Sequence, residues 1–494
     1  MENPLVGRNI TMINTDTNVA GTSVLDTPLV MLGENDPWTI RDSFEGVQVF
    51  GGTGSGKTSS AKTFASSFLE AGYGGLVLTV KPEETQQWQE WVKEAGRGDQ
   101  LITIHPSNPY FFDFLEYEAQ RSDGSDTQTM VSLFMLIIEI ANGGSIKGRE
   151  PYFELALRQM QTNAIDLLKC AAEPITVENI YRLIVTAPTS ISRLGASDWR
   201  EKSYCFKCLN QASDNYDKSV GAGITELHFE DFDIAFLYWT NEFPNLSEKT
   251  RSIIVSMFTT TADAFIRGNL KKLFITDKGK HPAPPDLARQ GAIIILDLPI
   301  KLRDNVGKIG QGVYKLMFQK AMERNVYSES SRPVFIWSDE NQFFINSYDL
   351  EFQQTARSSG VATFYLTQNI PNYYVNLGDD GLNKANSLLG NLSTKIFLAQ
   401  PDSATNEWAA KIFGEAWAMQ SSSSSSFDPD NETRMSASIS EHKRHIIEPI
   451  EFTQLLRGGP KNDYIVSAII HQIGRTWSNG ENFIETFFKQ STSG

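Results

Sequence analysis

Two short stretches carry residues whose type and spacing suit phosphate chemistry. The first is Gly51-Gly52-Thr53-Gly54-Ser55-Gly56-Lys57-Thr58-Ser59, which fits the pattern G-x-x-x-x-G-K-[ST]. Glycines there let backbone N–H groups converge on a β-phosphate, and a helix that follows offers its positive end. Lys57 would neutralise the β- and γ-phosphates and Thr58 would ligate Mg²⁺, so the expected ligands are ATP and Mg²⁺ along Gly51–Ser59. The second stretch is Asp339-Glu340, directly after the apolar run Pro333–Trp337. Asp339 is expected to hold Mg²⁺, largely through water, and Glu340 to act as general base on the attacking water. Gln368 follows another apolar run and stands where an amide could sense a γ-phosphate. Arg357 closes the segment between the two runs. It could reach the ATP of a neighbouring subunit, or simply complement a helix C-terminus.

Elements that would position these residues alternate along the chain. A strand is expected over Val47–Phe50 and a helix from Lys57 to Gly72. Leu76–Val80 reads as strand, Glu83–Ala95 as helix and Leu101–His105 as strand. From about Asp126 to Arg267 the period is helical: Thr127–Ala141, Tyr152–Ala172, Val177–Ala187, and Glu248–Ile266 with Ser247 as N-cap. Alternation resumes with strand Ala292–Leu298, helix Val306–Arg324, strand Pro333–Trp337, helix Leu350–Ser358, and strands Val361–Leu366, Lys395–Leu398 and Asp463–Ile470. The fold class expected is α/β: a RecA-like P-loop NTPase with a parallel, doubly wound sheet and an inserted all-α domain. Its parts would be an irregular N-terminal segment (1–43), the first half of the NTPase domain (44–125), the all-α insertion (126–270), the second half (271–475) and a tail (476–494). The serines at 421–426 read as a loop.

A chain of 494 residues, 40% hydrophobic and 21% charged, suits a multidomain globular protein. The formal net charge of −15 disfavours a broad basic nucleic-acid surface but leaves room for a narrow basic channel. No run reaches the roughly 20 apolar residues of a membrane span, and no secretory leader is evident, so a cytoplasmic location is expected. Three cysteines, Cys170, Cys205 and Cys208, cannot frame a disulfide scaffold. Cys205-x-x-Cys208 lacks a second ligand pair for zinc. His442 and His445 read as residues of a solvated loop, Lys271-Lys272 as a solvated turn, and Trp88 with Trp91 as a packing pair at i,i+3.

The segment from Arg357-Ser358-Ser359-Gly360-Val361 to Thr367-Gln368-Asn369 resembles the TraG/TraD/VirD4 coupling proteins of conjugation and type IV secretion, within the FtsK/HerA group of ATPases. The P-loop, Leu78–Pro82, Asn108-Pro109, Leu298-Pro299, Lys395–Ala399, Asp402–Ala404, Gly414 and Arg457-Gly458-Gly459 to Tyr464 fit in order. The resemblance implies a homo-oligomeric, hexameric ring that moves DNA, with or without a relaxase or secreted protein, towards membrane-anchored secretion components. A peripheral place at the inner membrane is implied with it. It also implies Arg357 as a finger acting in trans and Gln368 as sensor. Two departures stand out: membrane helices of the kind that usually open such proteins are not found, and Thr79-Val80-Lys81 replaces a common Asp on the second strand. Alternatives are a HerA-like or packaging DNA motor, and a nucleotide-switched adaptor for protein cargo.

Overall fold

The structure is a computed structural model describing residues 23–120, 126–142, 151–222, 231–277, 279–324, 326–427 and 433–490. Nine strands form one sheet: β1 (Val47–Phe50), β2 (Gly74–Leu78), β3 (Leu101–Ile104), β4 (Ile293–Leu296), β5 (Val334–Ser338), β6 (Val361–Thr367), β7 (Thr394–Phe397), β8 (Ile465–Gln472) and β9 (Phe483–Lys489). Their order is β9-β8-β7-β1-β6-β5-β2-β4-β3. The strands from β7 to β3 run parallel, as an alternating strand–helix sequence requires. They are continuous in apolar residues because both faces are covered. In β5, Val334 and Ile336 face one core while Phe335 and Trp337 face the other.

Helices α1 (Lys57–Glu70) and α2 (Pro82–Glu94) cover one face. Phe68 of α1 stacks on Phe335 at 5.5 Å, and Trp88 of α2 lies 5.6 Å from the same ring. Trp88 and Trp91 are thus packing residues, 2% and 7% exposed. The opposite face carries helices α3 (Thr127–Asn142), α4 (Pro151–Cys170), α5 (Val177–Val185), α6 (Tyr204–Ala222) and α7 (Glu248–Ile266), with α8 (Ile300–Glu323) and α9 (Ser347–Thr355). Between β3 and β4 the described residues are mostly helical. Ser247 caps α7 by accepting from Thr250 N at 3.1 Å. Cys170, Cys205 and Cys208 are buried inside these helices and form no disulfide among the described residues. Lys271 pairs with Glu178 at 3.0 Å. Among the described residues no helix is long and apolar enough to cross a membrane.

Five expectations are corrected. The segment before Val47 is not irregular throughout: Pro28–Gly33 and Asp36–Thr39 form an antiparallel hairpin. Trp38 drives its docking, with its ring 5.2 Å from Phe64 and its indole N–H on Thr394 Oγ1. The sheet is mixed rather than wholly parallel, because β8 pairs antiparallel with β7 and β9 antiparallel with β8. β9 lies in what reads as a tail; its period-2 alternation buries Ile484, Thr486 and Phe488 and exposes Glu485 and Phe487. The serine run is strand, not loop: Glu415–Phe427 pairs with Thr433–His445 over thirteen residue pairs. Serine is a weak strand former, so the continuous backbone ladder with the partner strand decides its conformation. His442 and His445 lie on that second strand rather than in a loop.

Candidate functional site at the carboxyl edge of the sheet

Register brings the chemistry-bearing residues to one edge. Thr367, the last residue of β6, pairs with Phe50, which pairs with Phe397 of β7. The Gly51 loop, Asp339 and Gln368 therefore leave the sheet together, at the C-terminal ends of parallel strands where α/β folds hold ligands. Gly51 N donates to Thr367 O at 3.3 Å and Gly52 N to Ala399 O at 2.9 Å, which pins the loop to its neighbours. Gly56 has φ +89°, and a Cβ there would lie 2.4 Å from Val466 Cγ2, so only glycine can turn the chain into α1 at this point. The result is an open cleft of ≈ 640 Å³ lined by the loop from Gly52 to Ser59 and by Lys81, Lys301, Asp339, Glu340, Gln368 and Gln490.

The cleft floor is electrostatically unbalanced. Burial, the neighbouring Glu340 and the weaker counter-pull of Lys81 and Lys57 leave the Asp339 carboxyl above its usual range. Lys57 Nζ donates to Gly51 O at 2.6 Å and Gly52 O at 3.3 Å. Burial lowers its pKa, which Glu340 and Asp339 partly offset. Lys81 moves the other way: burial would lower it, but Asp339, Glu84 and Glu340 together raise it. A second carboxylate beside Asp339 and a hydroxyl at Thr58 make an oxygen-donor set suited to a hard divalent cation. The residues present also fit a phosphate group. The Ser55 hydroxyl is buried in the loop without a partner among the described residues, and the Lys57 ammonium lies against the loop's own carbonyls.

Glu340 is the most constrained group of the set. Its backbone is in the left-handed region, φ +51°, an uncommon state for a non-glycine residue that costs of order 1 kcal/mol or more. Its own N–H donates to Asp339 Oδ1 at 2.9 Å. The carboxylate is held by two amides: Gln342 Nε2 donates to Oε2 at 2.8 Å and Gln368 Nε2 to Oε1 at 2.9 Å. Thr367 Oγ1 in turn fixes Gln342, at 2.8 Å from its Oε1, and Gln400 Nε2 donates to Gln368 O at 2.6 Å. Gln368 thus reaches the site through the general-base candidate itself. Sequence reasoning missed Gln342, Thr367, Lys301 and Gln490. None of the four carried a distinctive local signal, although Gln342 stands only two residues past Glu340.

Arg357 is not brought to this site in its own chain. It lies just before β6, whose first residue Val361 pairs with Val334 at the start of β5. The strand's seven residues put it about 20 Å from the carboxyl edge. There Arg357 pairs with Glu45 at 3.2 Å, with 63% of its side chain exposed.

Glu84 gives the site a measurable pH signature. Its Oε2 accepts from Val80 N at 2.7 Å and Lys81 N at 3.2 Å, capping α2. Burial and the nearby Asp339 push its pKa up from 4.5 to about 7. An acid with a raised folded pKa holds a proton that the unfolded chain releases. Its contribution therefore falls as pH rises from about 4.5 towards 7, and is level above that. Glu84→Gln keeps the acceptor and removes the buried charge. In nucleotide-free thermal melts the variant is expected to gain about 1–3 °C over wild type at pH 8 and little or nothing at pH 5. An equal gain at both pH values would contradict the assignment.

The fold is that of RecA-like P-loop NTPases with an all-α insertion. Comparisons with known proteins agree on a narrower likeness. A family model described as the TraM recognition site of TraD and TraG matches residues 333–457, from the start of β5 to Arg457. The type 4 coupling protein DotL of Legionella pneumophila subsp. pneumophila is 20% identical over 392 residues, 75% of this chain and 49% of that protein. The chain thus spans about half the length of the curated relative it matches. Among solved structures, the bacterial conjugative coupling protein TrwBdeltaN70 in an unbound form superposes with a TM-score of 0.57 at 12% identity, over 94% of this chain and 88% of that one. Plasmid coupling protein TrwB in complex with ADP and Mg²⁺ gives a TM-score of 0.56 at 12% identity, over 95% and 89%. The resemblance to TraG/TraD/VirD4-type coupling proteins read from the motifs holds in all three comparisons.

Proposed function

We propose that this protein is an ATP-driven translocase of the coupling-protein type, moving DNA, alone or with bound protein, towards a secretion channel. The observation that carries the reading is Glu340, strained at its backbone and held by two amides beside Lys57 and Asp339. A plain solvated strand end has no use for such restraint. TrwB has been solved with ADP and Mg²⁺ and with a non-hydrolysable ATP analogue, which supports the same ligands here. When bound, Mg²⁺ would neutralise charge on the β- and γ-phosphates. In this chain Lys57 and the loop N–H groups bind phosphate, while Thr58 and Asp339 hold the cation. Glu340 accepts the proton of the attacking water at a carboxylate oxygen. The amides of Gln342 and Gln368 occupy one lone pair on each oxygen and fix the remaining ones in direction. Gln368, bonded to that carboxylate, is placed to report on the γ-phosphate.

The helical block at 126–270 acts in this reading as an inserted domain between the two halves of the NTPase domain. The ring is a homo-oligomer, with Arg357 supplied by a neighbour. Docking at the inner membrane runs through anchored secretion partners. The net charge of −15 favours protein as part of the cargo, which keeps the adaptor reading as the second one.

Turnover measured with and without single- and double-stranded DNA separates the two. A motor is expected to hydrolyse ATP several-fold faster with DNA present, with stimulation that weakens as salt rises. Turnover indifferent to both DNA forms at low salt would remove DNA as the cargo and leave the adaptor.

A further inference from the structure

The last two strands of the sheet do more than extend its edge. β8 and β9 bring a short clasp of residues across the flank of the phosphate loop. Arg457 forms a β-bridge with Val466, and Val466 fills the space that a Cβ on Gly56 would need. From that anchor Arg457 Nη2 donates to Thr53 O, at 2.5 Å, on the outer turn of the loop. On the other side Gln490, just past β9, lines the cleft and donates from Nε2 to Ser59 Oγ at 3.2 Å. The two arms are tied together, since Gly459 N donates to Gln490 Oε1 at 2.8 Å. Gly458 has φ +77°, and a Cβ there would meet Gln490 Oε1 at 2.4 Å, so the crossing itself needs glycine.

The chemistry of these arms exceeds what bracing a loop requires. An exposed guanidinium has five donors in a fixed fork, and a single carbonyl engages one of them. A bracing contact to Thr53 O would be served as well by a neutral amide. Gln490 likewise holds the Ser59 hydroxyl, one residue beyond the Mg²⁺-binding candidate Thr58.

We propose that the C-terminal strand pair completes the nucleotide site in cis, with Arg457, held at the outer turn of the loop through Thr53, adding a phosphate-binding cation to Lys57, and Gln490 a positioning residue for Ser59. The proposal rests on the reading of the cleft as an ATP site. It makes nucleotide occupancy and the seating of β8–β9 two sides of one equilibrium, since whatever tightens one tightens the other.

The test is equilibrium binding of fluorescent ribonucleoside di- and triphosphate analogues to the full chain, with Mg²⁺, at several salt concentrations. Arg457→Ala is expected to weaken the triphosphate analogue about 10-fold or more, the scale of a lost charge-assisted hydrogen bond. Its affinity is also expected to depend less on salt than that of wild type, because one phosphate-facing charge is gone. Arg457→Lys recovers part of the affinity and all of the salt dependence. Gln490→Ala weakens both analogues several-fold and leaves their salt dependence unchanged. Melting temperatures without nucleotide control for folding. If wild type binds and Lys57→Ala does not, while both clasp variants bind as wild type does, the clasp is a brace and the proposal is overturned alone. If Arg457→Ala weakens binding but leaves the salt dependence as in wild type, Arg457 is again only a brace. If wild type binds no nucleotide, the ATP reading falls and takes the clasp with it.

Discussion

Glu340→Gln is expected to bind ATP with wild-type affinity and to lose turnover by about 10²–10⁴-fold, the range for removal of a positioned general base. The substitution keeps the shape of the side chain and removes its capacity to take a proton. It also sets amide against amide. Gln342 and Gln368 both donate to the carboxylate, so the new NH₂ must face one of them and that partner must rotate. Rotation of Gln368 would disturb the sensor candidate as well, adding to the loss. Phosphate release in single-turnover conditions, beside binding of a non-hydrolysable analogue, separates the two effects. Hydrolysis at the wild-type rate would show that another group is the base.

Much of this site is legible in the chain because its constraints are local. A loop that must bend tightly and then open a helix demands glycine at fixed offsets, and the lysine and hydroxyl follow within two residues. Asp339 and Glu340 announce themselves by ending an apolar strand. α7 is readable to its ends because Ser247 and the 3.6-residue period agree. What escapes is non-local. Gln490 reaches Ser59 across 431 positions of sequence and Arg457 reaches Thr53 across 404, and no spacing rule joins them. Gln342 matters because Thr367 on another strand orients it, and a glutamine after an acidic pair has no distinctive composition. The serine hairpin misleads for the opposite reason. Its local preference is for turn and loop, and the partner strand overrides it.

The N-terminal hairpin and the C-terminal strands show how the same logic extends to stability. Trp38 sits between α1 and β7, Thr486 Oγ1 of β9 donates to Leu32 O, and Ser478 Oγ donates to Asp36 Oδ2 at 2.5 Å. First and last segments thereby close over the flank of the sheet that bears the phosphate loop. The loop is pinned from β6 and β7 on one side and from β8 and β9 on the other. In the proposed nucleotide complex the loop backbone would have little left to reorganise, which is the condition for electrostatic stabilisation to act at full strength.

In the proposed ring, Arg357 is where assembly and chemistry would meet. In its own chain it lies at the amino edge of the sheet, about 20 Å from the phosphate loop, in an exposed ion pair with Glu45. A surface pair of this kind contributes little to stability. Loss of Arg357 is therefore expected to leave folding and ATP binding nearly intact. A guanidinium presented to a neighbour's γ-phosphate accounts for about 10³–10⁵ in rate where such fingers operate. Arg357→Ala should thus turn over ATP hardly at all, and Glu45→Ala, which frees the same guanidinium, should not share the defect. Mixing Arg357→Ala with Lys57→Ala supplies the decisive comparison. Each is inactive alone, yet a mixed ring contains interfaces where an intact loop faces an intact finger, so activity returns to a fraction set by the mixing ratio. A helix-capping arginine predicts modest loss in the single variant and no recovery on mixing. Absence of recovery in rings shown to contain both variants would return Arg357 to a structural role.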